Sequence, residues 1–306
     1  MRIGEMVGGF ESRMSIEDFL ARSRDLESYG FDTMWIPHVF AHDAIGLATL
    51  LGRETKHIEL GTAVVPTQPR HPASLAQQAL TASAASRGRF TLGIGLSHPP
   101  VIENMHGLSY ARRASHMREY MAVLGPLLRG EPVDFKGDEF QVSMGIDVPD
   151  APSVPVLIAA LGPKMLEIAG RDAAGTSLWM TGFRAIEEYI VPTIREAASA
   201  AGRPEPRIVA GMNVALVADA AAAEERAAEM VSQYRMMPSY KAMIDREGSD
   251  KASEFAIVGD ERALAAGLDR LESIGVTDLN ASFLDFEDGC PERTREFLAS
   301  RTERSR

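Results

Sequence analysis

The chain has 306 residues, 45% hydrophobic and 25% charged, a balance that excludes a disordered or fibrous protein. A formal net charge of −11 argues against nucleic acid as a partner, because phosphate binding needs a basic face. The single cysteine, Cys290, excludes an internal disulfide and a cysteine-rich metal site, and no run approaches the ~20 apolar residues of a membrane span.

The N terminus enters strand-like sequence at Ile3 to Val7 with no signal-peptide core, so a cytoplasmic protein acting on a small molecule is expected. Ser15 with Asp18 three residues on opens a first helix, which Gly30 closes. Phe31 to Ile36 is predicted as the second strand and Ala44 to Arg53 as the next helix. His57 to Leu60 is the third strand. It runs through Gly61-Thr62-Ala63-Val64-Val65-Pro66 into a helix opened by Pro72, whose missing N–H costs little there. Gly88 to Gly95 is the fourth strand, with a helix expected over Ser109 to Leu128.

The alternation lapses over 130–152, which is turn-rich and reads as an insertion with a small hairpin. Val154 to Ala160 resumes it as strand five, and Gly162-Pro163-Lys164 opens a helix to about Ala174. Gly175 to Met180 and Arg207 to Val217 are strands six and seven, separated by a helix over Arg184 to Ala200. Two helices fill a second insertion at about 220–255, and Ile257 to Asp260 opens a last crossover helix. Val276 to Asn280 is strand eight, and Pro291 to Ser300 a closing helix. Eight βα units predict one (β/α)8 barrel domain over 1–306, with an open doubly wound sheet as the alternative.

In a barrel, chemistry sits just after each strand. His38 follows strand two beside Trp35, where it can bind a ligand and titrate near neutrality, or simply pack on the indole. Trp35 itself reads as a core strand residue or a pocket wall. His42, His71, His106 and His116 read as surface or loop residues, and the histidine spacing fits no metal motif. Gly162-Pro163-Lys164 reads as a plain helix start or as a phosphate seat of free N–H groups. Met237 and Tyr240 lie in a methionine- and tyrosine-rich segment after strand seven that either roofs the pocket or packs as scaffold.

In their order and spacing, five stretches resemble the bacterial luciferase-like superfamily of flavin and deazaflavin oxidoreductases. The resemblance is nearest to the branch that uses the deazaflavin coenzyme F420 and covers nearly the whole chain. The stretches are Tyr29 to Trp35, Leu60 to Pro66, Arg70-His71-Pro72, Gly88 to Gly95, and Ala159 to Met165. The resemblance implies a barrel with insertions and a non-prolyl cis peptide behind the cofactor ring, here Ala63–Val64. It also implies a phosphate held by the backbone of Ala159, Ala160, Leu161, Gly162 and Pro163, with Gly95 and Ser97 beside the cofactor. His38 falls at the reactive edge of the ring as the catalytic candidate. Trp35, His98, Met180, Met237 and Tyr240 are the substrate-pocket candidates, and a homodimer is expected.

The implied reaction is hydride transfer between F420 and a small organic substrate. The alternatives are a monooxygenase using reduced FMN, or a structural subunit that has lost its cofactor. Pro37 stands where several relatives have Asp, and Ser97-His98-Pro99 where some sugar-phosphate dehydrogenases of the family have Glu. No carboxylate acid or base is available at either place, which argues against sugar-phosphate oxidation.

Overall fold

The computed structural model describes residues 1–9, 13–249 and 251–302. Eight parallel strands close into a barrel. They are β1 (Arg2–Met6), β2 (Thr33–Ile36), β3 (Glu59–Thr62), β4 (Phe90–Gly95), β5 (Val156–Ile158), β6 (Gly175–Trp179), β7 (Arg207–Leu216) and β8 (Asp278–Phe283). Each pairs with the next, and β8 returns to β1 through Ile3 opposite Leu279, so no main edge is left open. Helices pack outside, as the expected βα alternation requires.

Local chemistry explains the boundaries. Ser15 and Asp18 form a reciprocal capping box, and Gly30 closes that helix at φ 82°. Asp43 accepts from Gly46 N–H to start the helix Ala44–Glu54, and Pro72 is the first residue of the helix Pro72–Ser86. The hairpin stands at Val133–Lys136 and Gln141–Met144, and Glu119 holds its tip by accepting three backbone N–H groups.

Four expectations are corrected. Ile257 to Asp260 does not begin a helix: Ala256–Gly259 is a short strand paired with the end of β7, and the helix starts at Glu261. Val65–Pro66 forms a two-residue strand on β4. Strand three lies two residues later than expected, at Glu59–Thr62. The helix expected from Ser109 starts at Arg113, after a separate π-helical turn at Pro100–Met105.

Trp35 fills the barrel interior, 0% exposed, against Leu157 and Val209. Glycines on both neighbouring strands make room for it. A Cβ at Gly4 would lie 2.7 Å from the indole Nε1, and one at Gly61 would enter the six-membered ring. Below it, at the strands' N-terminal ends, Arg207 pairs with Asp278 at 2.5 Å and Glu59 at 2.9 Å, and its Cζ lies 6.0 Å from the indole centroid.

Candidate active site

Three groups assemble at the C-terminal ends of the strands. The first is a backbone shelf across β3, β4 and β5. The Ala63–Val64 peptide is cis. Val64 leans on Gly93 and Gly95, and a Cβ on Gly95 would lie 2.8 Å from Val64 and 3.1 Å from Ala159. Small residues here bring three strand ends close together. Ser97, just past β4, holds φ 58°, a left-handed conformation that serine rarely adopts, and its carbonyl accepts from Tyr110 Oη at 2.8 Å.

Ala160, at the top of β5, is fully buried, and Leu161 and Gly162 are half-buried. Gly162 is the N-cap of the helix Pro163–Asp172 with no side chain capping it. The corresponding helix after β6 is sealed: Glu247 accepts from the N–H groups of Arg184 (3.0 Å) and Ala185 (2.8 Å). Its carboxylate also lies against Gly182, where a Cβ could not fit. Burial raises the Glu247 pKa despite those two bonds. Of these two helix starts, only the one after β5 can offer its N–H groups to an anion.

The second group is His38, Arg70 and Asp43. The His38 side chain is 13% exposed. Its Nδ1 accepts from Ala44 N–H at 3.2 Å, and its Nε2 faces Arg70 Nη2 at 3.2 Å. The same guanidinium nitrogen donates to Asp43 Oδ2 at 2.8 Å. Burial lowers the His38 pKa and the Arg70 charge lowers it further, with Asp43 pulling the other way. Burial and the Arg70 charge both favour the neutral imidazole. Arg70 is held from behind, because Tyr120 Oη donates to its carbonyl at 3.0 Å.

The third group is an aromatic roof. The His98 and Tyr240 rings lie 5.4 Å apart, Tyr240 and Tyr234 5.3 Å, and Tyr234 and Trp179 6.4 Å. Burial raises the Tyr240 pKa and lowers that of His98. Met180, at φ 50°, lies beneath this wall with Val231, Ile244 and Phe255.

Neither Trp35 nor Met180 lies on the rim. Trp35 takes its core-strand reading rather than that of a pocket wall, because the Gly4 and Gly61 notches accept the ring inside the barrel. Met180 is 2% exposed and supports the roof from below. Met237 is half-buried as the N-cap of the roof helix Pro238–Glu247. His116 is not a surface or loop residue but a half-buried helical one, contacting Thr67 Oγ1 at 3.0 Å and packing on Tyr120 and Phe140. Lys164 is exposed. Among the described residues no three His, Cys, Asp or Glu side chains gather as a metal set, and no helix is long and apolar enough to cross a membrane.

Sequence reasoning gave no role to Arg70, Asp43 or Tyr110. Arg70 was accessible in principle, being a lone cation between Pro69 and His71 in a loop that follows a barrel strand.

Residues 2–278 match the luciferase-like monooxygenase family. A 5,10-methylenetetrahydromethanopterin reductase of Methanolobus tindarius is 30% identical over 282 residues, spanning 89% of this chain and 84% of that protein. An F420-dependent secondary alcohol dehydrogenase, solved with an F420–acetone adduct, superposes with a TM-score of 0.82 at 19% identity, covering 100% and 99% of the two chains. The FMN-bound oxygenating constituent of 3,6-diketocamphane monooxygenase from Pseudomonas putida gives 0.78 at 16% identity, covering 100% and 98%. The chain belongs to the luciferase-like monooxygenase family and is an oxidoreductase of that type.

Proposed function

We propose that the protein is an F420-dependent oxidoreductase that moves a hydride between the deazaflavin and a small organic substrate. The observation that carries this is the shelf formed by Val64, Gly95 and Ala159, a close-packed surface of small groups against which a planar tricyclic ring can lie. The donor chemistry beside it suits the rest of such a cofactor. The backbone of Leu161 and Gly162 and the start of the helix Pro163–Asp172 would hold its phosphate. When bound, the deazaflavin would supply or accept the hydride.

This chain's own residues have narrower tasks. The shelf orients the ring, the roof of His98, Tyr234 and Tyr240 shields the reacting face from water, and His38 offers a neutral imidazole to a substrate oxygen. Support for the deazaflavin over FMN comes from sequence relatives that are named for it, such as an F420-dependent glucose-6-phosphate dehydrogenase of Amycolatopsis mediterranei. Titrating the purified chain with each cofactor, followed by fluorescence, tests the choice. Submicromolar F420 binding is expected. Submicromolar FMN binding with none for F420 would overturn it in favour of an oxygenase, and binding of neither would leave a structural subunit.

A further inference from the structure

The contacts of His38 bear on its tautomer. Ala44 N–H at Nδ1 and the Arg70 guanidinium at Nε2 can both only donate, each at 3.2 Å, so a neutral ring can accept from just one of them. The Ala44 N–H is fixed at its helix start while the Arg70 side chain can turn, which favours Nδ1 as the acceptor, although Asp43 Oδ2 stands 3.8 Å from that nitrogen. A neutral imidazole has one acceptor nitrogen, and its proton then sits on Nε2. That Nε2–H faces Arg70 Nη2 at 3.2 Å, and a guanidinium has no acceptor either. Two donors are therefore turned toward each other. The arrangement is over-determined. Asp43 anchors Arg70 at 2.8 Å while its Oδ1 caps the helix at Gly46, and Ala44, which fixes the ring, is the next residue of the same turn.

We propose that His38 and Arg70 form a two-donor seat for one ligand oxygen that carries full or partial negative charge, a carboxylate, enolate or alkoxide oxygen of the substrate. An oxygen at about 2.8–3.0 Å from both nitrogens completes a triangle with the 3.2 Å contact and turns a repulsive pair into two hydrogen bonds. Asp43 keeps Arg70 from being a bare cation, so the seat favours a single charge on one oxygen rather than a dianionic phosphate. This rests on the reading of this rim as a ligand site, and not on which cofactor the rim holds. Arg70 is then a specificity-determining residue that touches the substrate, and Asp43 positions it.

The test uses the whole chain without cofactor, so its outcome is independent of the choice between F420 and FMN. In protein labelled with 15N-histidine, two-bond proton–nitrogen correlations report the His38 tautomer, the signal being assigned by its loss in His38→Gln. The Nε2–H form is expected. Acetate, as a probe for a carboxylate oxygen, should shift the Nε2 resonance saturably. In Arg70→Met the tautomer should persist, since Ala44 still donates, while acetate binding weakens about tenfold or more, as expected for the loss of one charge-assisted hydrogen bond. Arg70→Lys should restore part of the binding. F420 affinity should be unchanged in Arg70→Met; a matching loss would assign the oxygen to the cofactor and overturn the proposal. A His38 proton on Nδ1, or an acetate response unaltered in Arg70→Met, would equally overturn it and leave Arg70 as a tether of its loop.

Discussion

The two ends of the barrel each carry an arginine, and their surroundings differ. At the floor, Arg207 meets Asp278 through two nitrogens and Glu59 through a third, and Arg2 adds a second cation to the same carboxylates. Burial alone would lower its pKa, but the two carboxylates outweigh that and raise it. At the mouth, Arg70 has one carboxylate, Asp43, and the same nitrogen faces His38 Nε2 at 3.2 Å. Matched charges at the floor serve stability. The less fully matched cation at the mouth suits the ligand seat proposed for it.

The sharpest break of this comparison is at the floor. Asp278 is 1% exposed, so Arg207→Met leaves a buried carboxylate with only Arg2 at 3.4 Å and Thr277 for company. Removing one partner of a buried pair costs several kcal/mol, and the surviving Arg2 puts the expected loss near the lower end, about 3 kcal/mol. Thermal melting should fall by roughly 5 °C, with F420 affinity retained once the variant is folded. An unchanged melting temperature would show the floor network to be mere decoration.

At the mouth, the corresponding change is His38→Ala. If the imidazole meets the substrate oxygen, turnover should fall by ~10²-fold or more, with melting little altered because the ring is a rim group that caps only Ala44. Equal turnover in the variant would remove His38 from the chemistry and return it to helix capping.

The same contrast explains what the sequence made legible. The barrel follows from short continuous apolar runs alternating with helices and from helix caps such as Ser15 with Asp18, all local signals. The shelf could be placed at Ala63, Val64 and Gly95 through the family resemblance of the stretches that hold them. The donor pair could not, because it depends on which atom of His38 meets Ala44, and no spacing encodes that. Ala256–Gly259 escaped for another reason: four residues beside a helix start carry too little periodicity to separate strand from helix. Trp35 beside His38 in sequence could read as a core strand residue or as a pocket wall. The side-chain alternation of a strand and two glycines on other strands put it inside the barrel.

A smaller effect separates structural from functional histidines. His38, His98 and His116 all have pKa values lowered first by burial. Their unfolded-state values are higher, about 6.5, so below that pH the unfolded chain binds more protons than the folded one. Stability should be full above about pH 6.5 and be lost as pH falls from there through the lowered folded values. Glu247, raised by burial, acts in the opposite sense, so the measurement is best made as a difference. His116→Gln can keep the Thr67 contact without titrating, and its melting temperature should drop less between about pH 7 and pH 5.5 than that of the parent chain. Parallel curves would show that His116 titrates alike in the folded and unfolded states.

The least of the expected effects concerns the roof. Met237 is half-buried at the start of the helix Pro238–Glu247, one turn before Tyr240, whose ring packs on His98 and Tyr234. The other end of that helix is pinned by Glu247 to the backbone of Arg184 and Ala185. A roof anchored at one end and lined by a flexible thioether at the other can adjust to a substrate without leaving the barrel. Met237→Ala should therefore change KM by a few-fold, a shift on the order of 1 kcal/mol for a partly buried side chain, with the direction depending on substrate size. F420 affinity should be unaffected, because the shelf and the helix start after β5 lie on other strands. If KM is the same for large and small substrates alike, the segment is scaffold, and discrimination among substrates belongs to the rim of His38 and Arg70 instead.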